Sequence, residues 1–507
     1  MTSPLTLPTY NGKAVAWDAI PTLPLEQFAA VLAAAPLRLA RVSALFGVPQ
    51  ETGGVALVAV LADDDGGRLE LCRTVPIEGA YPSLTPACPQ VHLFERELAE
   101  TWGLTPVGHP WLKPVRFAPP LRAGGDPFDR KGAPAAVGLL DFYRVEGAEV
   151  HEVAVGPVHA GVIEPGHFRF QCHGEEVLHL ELSLGYQHRG VERALRGGPD
   201  KRSLHYAETL CGDTTVGHAT AYCQLVEALS GCQVSARAQV VRAVALELER
   251  LANHTGDLGA LAGDVAFLPT ASHCGRLRGD YLNLTAELCG NRFGRGLVRP
   301  GGFSGELDAG LSARLTQGLD AALADTLAAA QLLWDAASVQ SRFEEIGVVT
   351  TDDARALGLV GVAARASGLS RDVRRDHPSG IYRFKQLPVA VVTSGDVYGR
   401  ARLRELEIRR SVAFIKELLA AFPPGPARAT PRPLGPDKLA VSLVEAWRGE
   451  LCHVAITDGD GRFSTYKVVD PSFHNWSGFA LAMRGQQISD FPVCNKSFNL
   501  SYCGFDL

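Results

Sequence analysis

At 507 residues, with 46% hydrophobic and 21% charged side chains, the chain has an ordinary core-forming composition and is long enough for about two to four domains. A formal net charge of −6 gives no bulk electrostatic case for a nucleic-acid partner. No run reaches about 18 uninterrupted apolar residues, and the start, "MTSPLTLPTYNGKAVAW", lacks the basic and apolar regions of a secretion signal, so we expect a cytoplasmic chain that does not span a membrane.

In chain order, the first element is "LAAAPLRLARVSALFG", expected as a helix or a helix followed by a turn. "GGVALVAVLADDDGGRLELCRTVPI" reads as two strands around an Asp/Gly turn, a hairpin signal. A helix is predicted over 90–104, "QVHLFERELAETWGL", from its apolar spacing. Residues 116–138, rich in Pro, Gly and charge, read as a linker. Two β-like runs follow in "EVAVGPVHAGVIEPGHFRFQCHGEEVLHLELSLG", and then helices that include 215–230, 236–254, 308–341 and 401–421. The apolar stretch 319–339 carries Asp320, Asp325 and Asp335 at amphipathic spacing and is expected as a buried helix of a soluble domain. A second hairpin with an Asp/Gly turn is predicted over 450–469. No internal repeat or low-complexity tract appears.

Eight of the fifteen histidines fall between 151 and 218, which invites a metal or proton-transfer reading, or simply several strand-surface histidines. The eleven cysteines include no C-x-x-C pair, and most are expected to be buried, reduced core thiols. Cys211 precedes a predicted helix, with the N-cap types Asp213, Thr214 and Thr215 beside it. The positive helix end would lower a nearby thiol pKa, so Cys211 is the one cysteine with a case for reactivity; a plain helix cap fits the spacing equally. Glu164, in "GVIEPGHF", is a turn residue or a positioned proton carrier. The apolar and aromatic end, "FNLSYCGFDL", is expected to be buried. Walker A, G-x-G-x-x-G, H-E-x-x-H and nucleophile-elbow motifs are missing in any credible context, which weakens kinase, classical dehydrogenase and hydrolase readings.

Several stretches in order resemble one superfamily. "FERELAETWGLTPVGHPWLKPVRF" (94–117) resembles the small hydrophilic subunit of respiratory complex I. "GPVHAGVIEPGHFRF" (156–170), "LGYQHRGVERAL" (184–195), "ELERLANHTGDLGAL" (247–261), "GNRFGRGLVRPGGF" (290–303), "LGLVGVAARASGLSRDVRRDHP" (357–378) and "VEAWRGELCHVAITDGDGRFSTYKVVDPSFHNW" (444–476) resemble the quinone-site subunit of complex I. They also resemble the large subunit of energy-converting, membrane-bound NiFe hydrogenases. The fusion is similar to the large subunit of formate-hydrogenlyase-type complexes, and "EPGHFRF" leans to the hydrogenase branch. The resemblance implies an α+β fold: a small α+β domain over 1–117, a linker over 118–138, and a large, mainly helical hydrogenase-large-subunit-like domain with small β additions over 139–507.

In those hydrogenases four cysteine thiolates hold nickel and iron, from a C-G-x-C and a D-P-C-x-x-C motif, because soft sulfur suits these ions. Here the first motif reads Cys211-Gly212-Asp213-Thr214, and His218 matches the histidine that follows it. At the other end Asn499, Ser501 and Gly504 take the places of the Asp and the two cysteines, Asp506 matches the closing Asp, and Cys503 lies one residue out of register. A NiFe centre is therefore not expected. The sequence ends at Leu507, which leads us to expect no cleaved extension. The tyrosine that complex I places near Gly212 is missing, while His159 or His167 stands in for its histidine. Glu164 matches the glutamate that relays protons near nickel.

The resemblance thus implies a subunit of a membrane-associated oxidoreductase complex, of the NADH-quinone oxidoreductase or membrane-bound hydrogenase kind, that couples electron to proton transfer. Its implied partners are a small iron–sulfur subunit, which carries the cluster, and membrane-arm subunits; its implied place is the cytoplasmic face of the inner membrane, held peripherally through them. A quinone or another redox carrier would occupy the vacated metal pocket. Glu164, His167, His218 and Asp506 are the proton-carrying candidates, and His159, Cys211, Thr214, Arg365, Ser501 and Cys503 the candidate carrier-binding residues. Two alternatives stand beside this: a catalytically silent coupling scaffold, and a hydrogenase with an atypical metal held by Cys211, Cys503 and His218.

Overall fold

The computed structural model describes residues 4–51, 53–122, 127–128, 136–161 and 163–507. Within the expected linker, 123–126 and 129–135 lie outside the described residues. The fold is mixed α+β, as expected, with strands concentrated near the N-terminus and long helices after residue 214.

The N-terminal sheet runs in the order Leu7–Thr9, Arg68–Thr74, Val55–Asp63, Arg41–Pro49, with Thr22–Leu23 parallel to Arg68–Thr74. The predicted hairpin is present: Val55–Asp63 pairs antiparallel with Arg68–Thr74, closing at Asp63 opposite Arg68. The stretch from Leu32 departs from expectation. The helix Leu25–Ala34 is followed by a short 3-10 turn, Pro36–Arg38, and then by the strand Arg41–Pro49. Leu39, at φ 64°, turns the chain out of the helix. Arg41–Val48 is buried throughout, and a strand covered on both faces loses the alternation that identifies it in sequence. The predicted helix over 90–104 is observed as His92–Trp102.

The region read as two β-like runs forms three strands, Val150–Val155, His167–His173 and Glu176–Ser183, in one antiparallel sheet. The long helices are Thr215–Ser230, Ala236–Asp264, Leu268–Cys289, Ala309–Asp335 and Val397–Ala420. Ala309–Asp335 is not fully buried: Leu315, Leu319, Ala330 and Leu333 form its inner stripe, while Leu332 is exposed. Asp320 and Asp325 on its outer side meet Lys416 and Arg276.

The second predicted hairpin, Glu450–Thr457 with Phe463–Val469, belongs to a four-stranded sheet that continues through Lys438–Glu445 to Ala14–Ala16. An N-terminal segment thus closes a C-terminal sheet. One apolar core likewise takes Phe28, Leu57 and Phe94 together with Phe168, Leu443, Trp476 and Phe498. All eleven cysteines are free thiols, eight of them buried, in line with the sequence reading. The chain end is buried as expected: Phe498, Tyr502, Phe505 and Leu507 are each at most 5% exposed. Among the described residues no helix is long and apolar enough to cross a membrane.

Candidate functional site

Three segments far apart in sequence meet at the start of the helix Thr215–Ser230: the turn Cys211–Thr214, the hairpin loop 446–449, and the terminal helix Tyr502–Asp506. Cys211 Sγ lies 3.1 Å from Ser501 Oγ and 3.0 Å from Asp213 Oδ1. Cys503 Sγ lies 3.4 Å from the same Ser501 hydroxyl. The sequence alignment of the two half-motifs therefore corresponds to a real meeting in space.

The turn is held by a guanidinium. Arg448 donates to both oxygens of Asp213, at 2.6 and 2.8 Å, and to the Asn499 carbonyl at 2.6 Å. Its Nη1 also reaches Cys211 Sγ at 3.4 Å. The Trp447 ring lies 3.9 Å under the Arg448 guanidinium carbon, and its indole N–H donates to Thr214 Oγ1 at 3.1 Å. The loop can project these two side chains because Gly449, at φ 146°, packs directly on Gly361: a Cβ there would come within 2.8 Å of the Gly361 Cα.

Burial pulls the Asp213 carboxyl up, but Arg448 outweighs it and holds it at about 2. The Cys211 thiol goes the other way: the neighbouring Cys503 thiol, burial and the Asp213 charge push it well above the ordinary cysteine value, and Arg448 offsets only part of this. Cys211 is a neutral thiol, which corrects the expectation of a thiolate activated by the helix end. The helix N-terminus is occupied otherwise. Glu249, from Ala236–Asp264, accepts the N–H groups of Val216 and Gly217 at 2.7 and 3.1 Å. Thr214 stands at the N-cap position without capping through its side chain; its hydroxyl instead donates to Asp213 Oδ1 at 3.1 Å.

Beneath Ser501 lies Asp470, the N-cap of the helix Pro471–Ala482. Asp470 Oδ1 accepts the Ser472 N–H at 2.8 Å, and Ser472 Oγ accepts the Ser501 N–H at 2.8 Å. His218 Nε2 lies 3.5 Å from Asp470 Oδ2, and His218 Nδ1 lies 3.0 Å from His453 Nε2. A Cβ on Gly504 would stand 2.5 Å from Asp470 Oδ2, so position 504 is glycine because a buried carboxylate occupies the side-chain space.

Of the remaining candidates, Glu164 belongs to this site: its Oε2 accepts the Tyr502 N–H at 3.1 Å, at the start of the terminal helix. Asp506, on that helix, faces away toward the loop after Ser183, accepting the N–H groups of Gly185 and Gln187 at 2.7 and 2.8 Å. Burial raises its carboxyl to about 6. His159 points back into its own loop, 2.9 Å from the Gly166 carbonyl oxygen. His167 is not brought to the cluster: it sits on the strand face of Arg169, which donates to it at 3.1 Å, and packs on Phe142. Arg365 is not there either. It is fully buried among Glu407 and Glu445, at 2.7 and 2.6 Å, and so supports the base of the 446–449 loop, where Arg250 also donates to the Glu445 carbonyl at 2.7 Å.

The donor set does not fit a nickel–iron pair. Cys211 is the one cysteine at the four motif positions, and a guanidinium lies against it. For the atypical trio, His218 Nδ1 is taken up by His453 at 3.0 Å, while His218 Nε2 has no hydrogen-bond partner and lies 3.5 Å from Asp470 Oδ2. Between the half-motifs, Arg448, Asp213, Cys211, Ser501 and Cys503 contact one another in series. Half-exposed Glu164, Asp213 and Cys503 mark where the cluster approaches the surface.

Sequence reasoning missed Arg448, Trp447, Asp470, His453 and Glu249. Asp470 had a readable signal, an Asp-Pro pair opening a helix; His453, a lone polar residue inside an apolar strand, had a faint one.

Comparison with known proteins gives two family matches. Residues 264–439 and 432–506 match the respiratory-chain NADH dehydrogenase, 49 Kd subunit, and residues 21–131 match the respiratory-chain NADH dehydrogenase, 30 Kd subunit. The carbon monoxide-induced hydrogenase of Rhodospirillum rubrum is 31% identical over 69% of this chain and 97% of its own length. Formate hydrogenlyase subunit 5 of Escherichia coli is 28% identical over 91% of this chain and 84% of its own length. NADH-quinone oxidoreductase subunit 4 of Thermus thermophilus is 30% identical over 69% of this chain and 92% of its own length.

Proposed function

The chain belongs to the superfamily of the respiratory-chain NADH dehydrogenase 49 Kd subunit and its hydrogenase relatives, joined to a 30 Kd-type domain, and on that premise we propose that its buried cluster serves proton-coupled electron transfer to a quinone-type carrier. It is a subunit of a complex I-like oxidoreductase assembly and works with partner subunits. The carrier takes the place of a NiFe centre, at the surface edge formed by Glu164, Asp213 and Cys503, and a small iron–sulfur subunit covers that edge and delivers electrons. Membrane-arm subunits hold the assembly peripherally on the cytoplasmic face of the membrane.

The observation that supports this best is the pairing of two features: a motif that keeps one thiol at four positions, where a NiFe pair would need four thiolates, and a proton-competent group on either side of it. Glu164 stands at the head of the terminal helix, and Asp470 with His218 stands beneath it. Proton-competent groups at one edge and beneath it fit a carrier that takes up protons with its electrons. This chain's residues would orient the carrier and donate protons; Arg448 would hold the charge near Cys211 fixed while they do so.

The scaffold reading keeps one supporting observation, the closed packing of Arg448, Asp213 and Ser501. Purifying the whole complex decides between them. We expect electron transfer to a short-chain quinone, and no nickel by elemental analysis. A complex that holds no quinone and reduces none supports the scaffold.

A further inference from the structure

Behind the thiol cluster, Asp470 and His218 continue into a row of buried titratable groups. Tyr466 Oη lies 2.9 Å from His453 Nδ1. His453 Nε2 lies 3.0 Å from His218 Nδ1, and His218 Nε2 lies 3.5 Å from Asp470 Oδ2, the loosest link. All four residues are at most 2% exposed. They come from four elements: Glu450–Thr457 and Phe463–Val469 supply His453 and Tyr466, Thr215–Ser230 supplies His218, and Asp470 caps the next helix.

Two features make this row more than packing. First, both nitrogens of His453 and Nδ1 of His218 are hydrogen-bonded along it, and His218 Nε2, which has no hydrogen-bond partner, lies 3.5 Å from Asp470 Oδ2, so each imidazole has a neighbour able to give a proton and another able to take one. The row then has two arrangements. In one, Tyr466 donates to His453, His453 donates to His218, and His218 carries its remaining proton on Nε2, on the side of Asp470. In the other, reached when a proton has passed, His218 Nδ1–H donates to His453 Nε2, His453 Nδ1–H donates to the tyrosine oxygen, and Asp470 holds the proton that crossed. Second, the row ends under the thiol cluster: Asp470 Oδ2 and Ser501 Oγ would lie 2.5 and 2.9 Å from a Cβ at position 504. Glycine there leaves the carboxylate and the hydroxyl facing one spot. At the far end Tyr466 packs against Tyr222, with 6.4 Å between ring centroids, and Tyr222 lines a surface cavity of about 600 Å³ with Asp200, Lys201 and Arg432.

We propose that Tyr466, His453, His218 and Asp470 form a proton wire that feeds the buried side of the site. This rests on the quinone-carrier reading above. In one passage the Tyr466 proton goes to His453 Nδ1, the His453 Nε2 proton goes to His218 Nδ1, and the His218 Nε2 proton goes to Asp470. A proton from the Tyr222 side restores the phenol. Each step breaks one O–H or N–H bond as it forms another, no electrons move, and one proton crosses. The rings reset by turning over. Burial, followed by the effect of His218, holds His453 neutral, so the wire stores no resting charge at its middle.

Two measurements test it. In the full-length chain with isotope-labelled histidine, ring-nitrogen NMR should show N–H signals of His218 and His453 that are protected from exchange, both altered together in His453→Gln. Ring protons that exchange as fast as those of free imidazole would overturn the wire whatever the complex does. In the purified complex, reduction of a short-chain quinone should slow about a hundredfold in His453→Gln and in Tyr466→Phe, with a larger solvent deuterium effect and an unchanged KM for quinone. Tyr466→Phe removes a single oxygen and covers the case in which His453→Gln does not fold. Wild-type rates and isotope effects in Tyr466→Phe would overturn the wire while leaving the carrier reading intact. A wild-type complex that reduces no quinone would instead overturn the carrier reading, and the assigned role of the wire with it.

Discussion

Cys211 and Ser501 are 290 residues apart in sequence and 3.1 Å apart in the fold. The contact joins the two half-motifs that hold a metal in the hydrogenases the sequence resembles, and it joins them through a hydroxyl. A hydroxyl is a poor ligand for nickel but an able hydrogen-bond partner for a neutral thiol. The same oxygen touches Cys503 and accepts the Gly504 N–H at 2.8 Å, so its capacity is spent within the protein.

A neutral, buried Cys211 should be slow to alkylate. With iodoacetamide at neutral pH we expect half-exposed Cys503, Cys232 and Cys289 to be modified well before Cys211. Peptide mapping by mass spectrometry reads the order, and fast labelling of Cys211 would show that its thiolate is accessible.

Gly504→Ala places a methyl group within 2.5 Å of Asp470 Oδ2. We expect it to cost about 1–3 kcal/mol by overpacking, seen as a lower urea midpoint. An unchanged midpoint would mean that Asp470 is not fixed where the structure has it.

Glu249 gives a pH signature. Burial pushes its carboxyl from 4.5 up to about 8, despite the two N–H groups it accepts. The folded chain therefore keeps this proton where the unfolded chain has lost it, and the group makes stability fall as pH rises from 4.5 to about 8. Glu249→Gln should flatten that part of the profile relative to wild type. Parallel denaturation profiles for the two proteins would refute the shift.

Arg365→Met removes one cation from a buried network and leaves Glu407 and Glu445 short of it. We expect a loss of about 3–5 kcal/mol, with chevron or melting data as the measure. A variant of native stability that had lost only carrier binding would restore Arg365 to the site.

Glu164→Gln keeps an oxygen for the Tyr502 N–H but cannot carry a proton. Stability should change by no more than about 0.5 kcal/mol, while quinone reduction by the purified complex falls about 10²–10⁴-fold. Full activity in this variant would favour the scaffold.

Some of this was readable along the chain. The hairpin Val55–Thr74 announces itself by alternation and an Asp/Gly turn, and the long helices by their periodicity. The strand Arg41–Pro49 does not, because both of its faces are covered and every position is apolar or paired: Arg41 hides its charge on Asp64 and Glu450. Glu164, Cys211, His218, Ser501 and Cys503 were found through motif order. His167 and Arg365 were carried along with their motifs although their side chains point elsewhere.

The sequence by itself determined which ligands are gone: Thr214, Ser501 and Gly504 supply no thiolate in any fold. Only the tertiary structure decided what replaced them. Whether a helix end activates a thiol depends on what else reaches that end, and Glu249 takes the N–H groups while Asp213 and Arg448 set the field around Cys211. Whether a histidine serves a metal or a neighbouring ring depends on where both of its nitrogens point. Those are questions of distance between segments hundreds of residues apart, and at a few ångströms, with water excluded, they set the protonation of Cys211, Asp213 and Glu249.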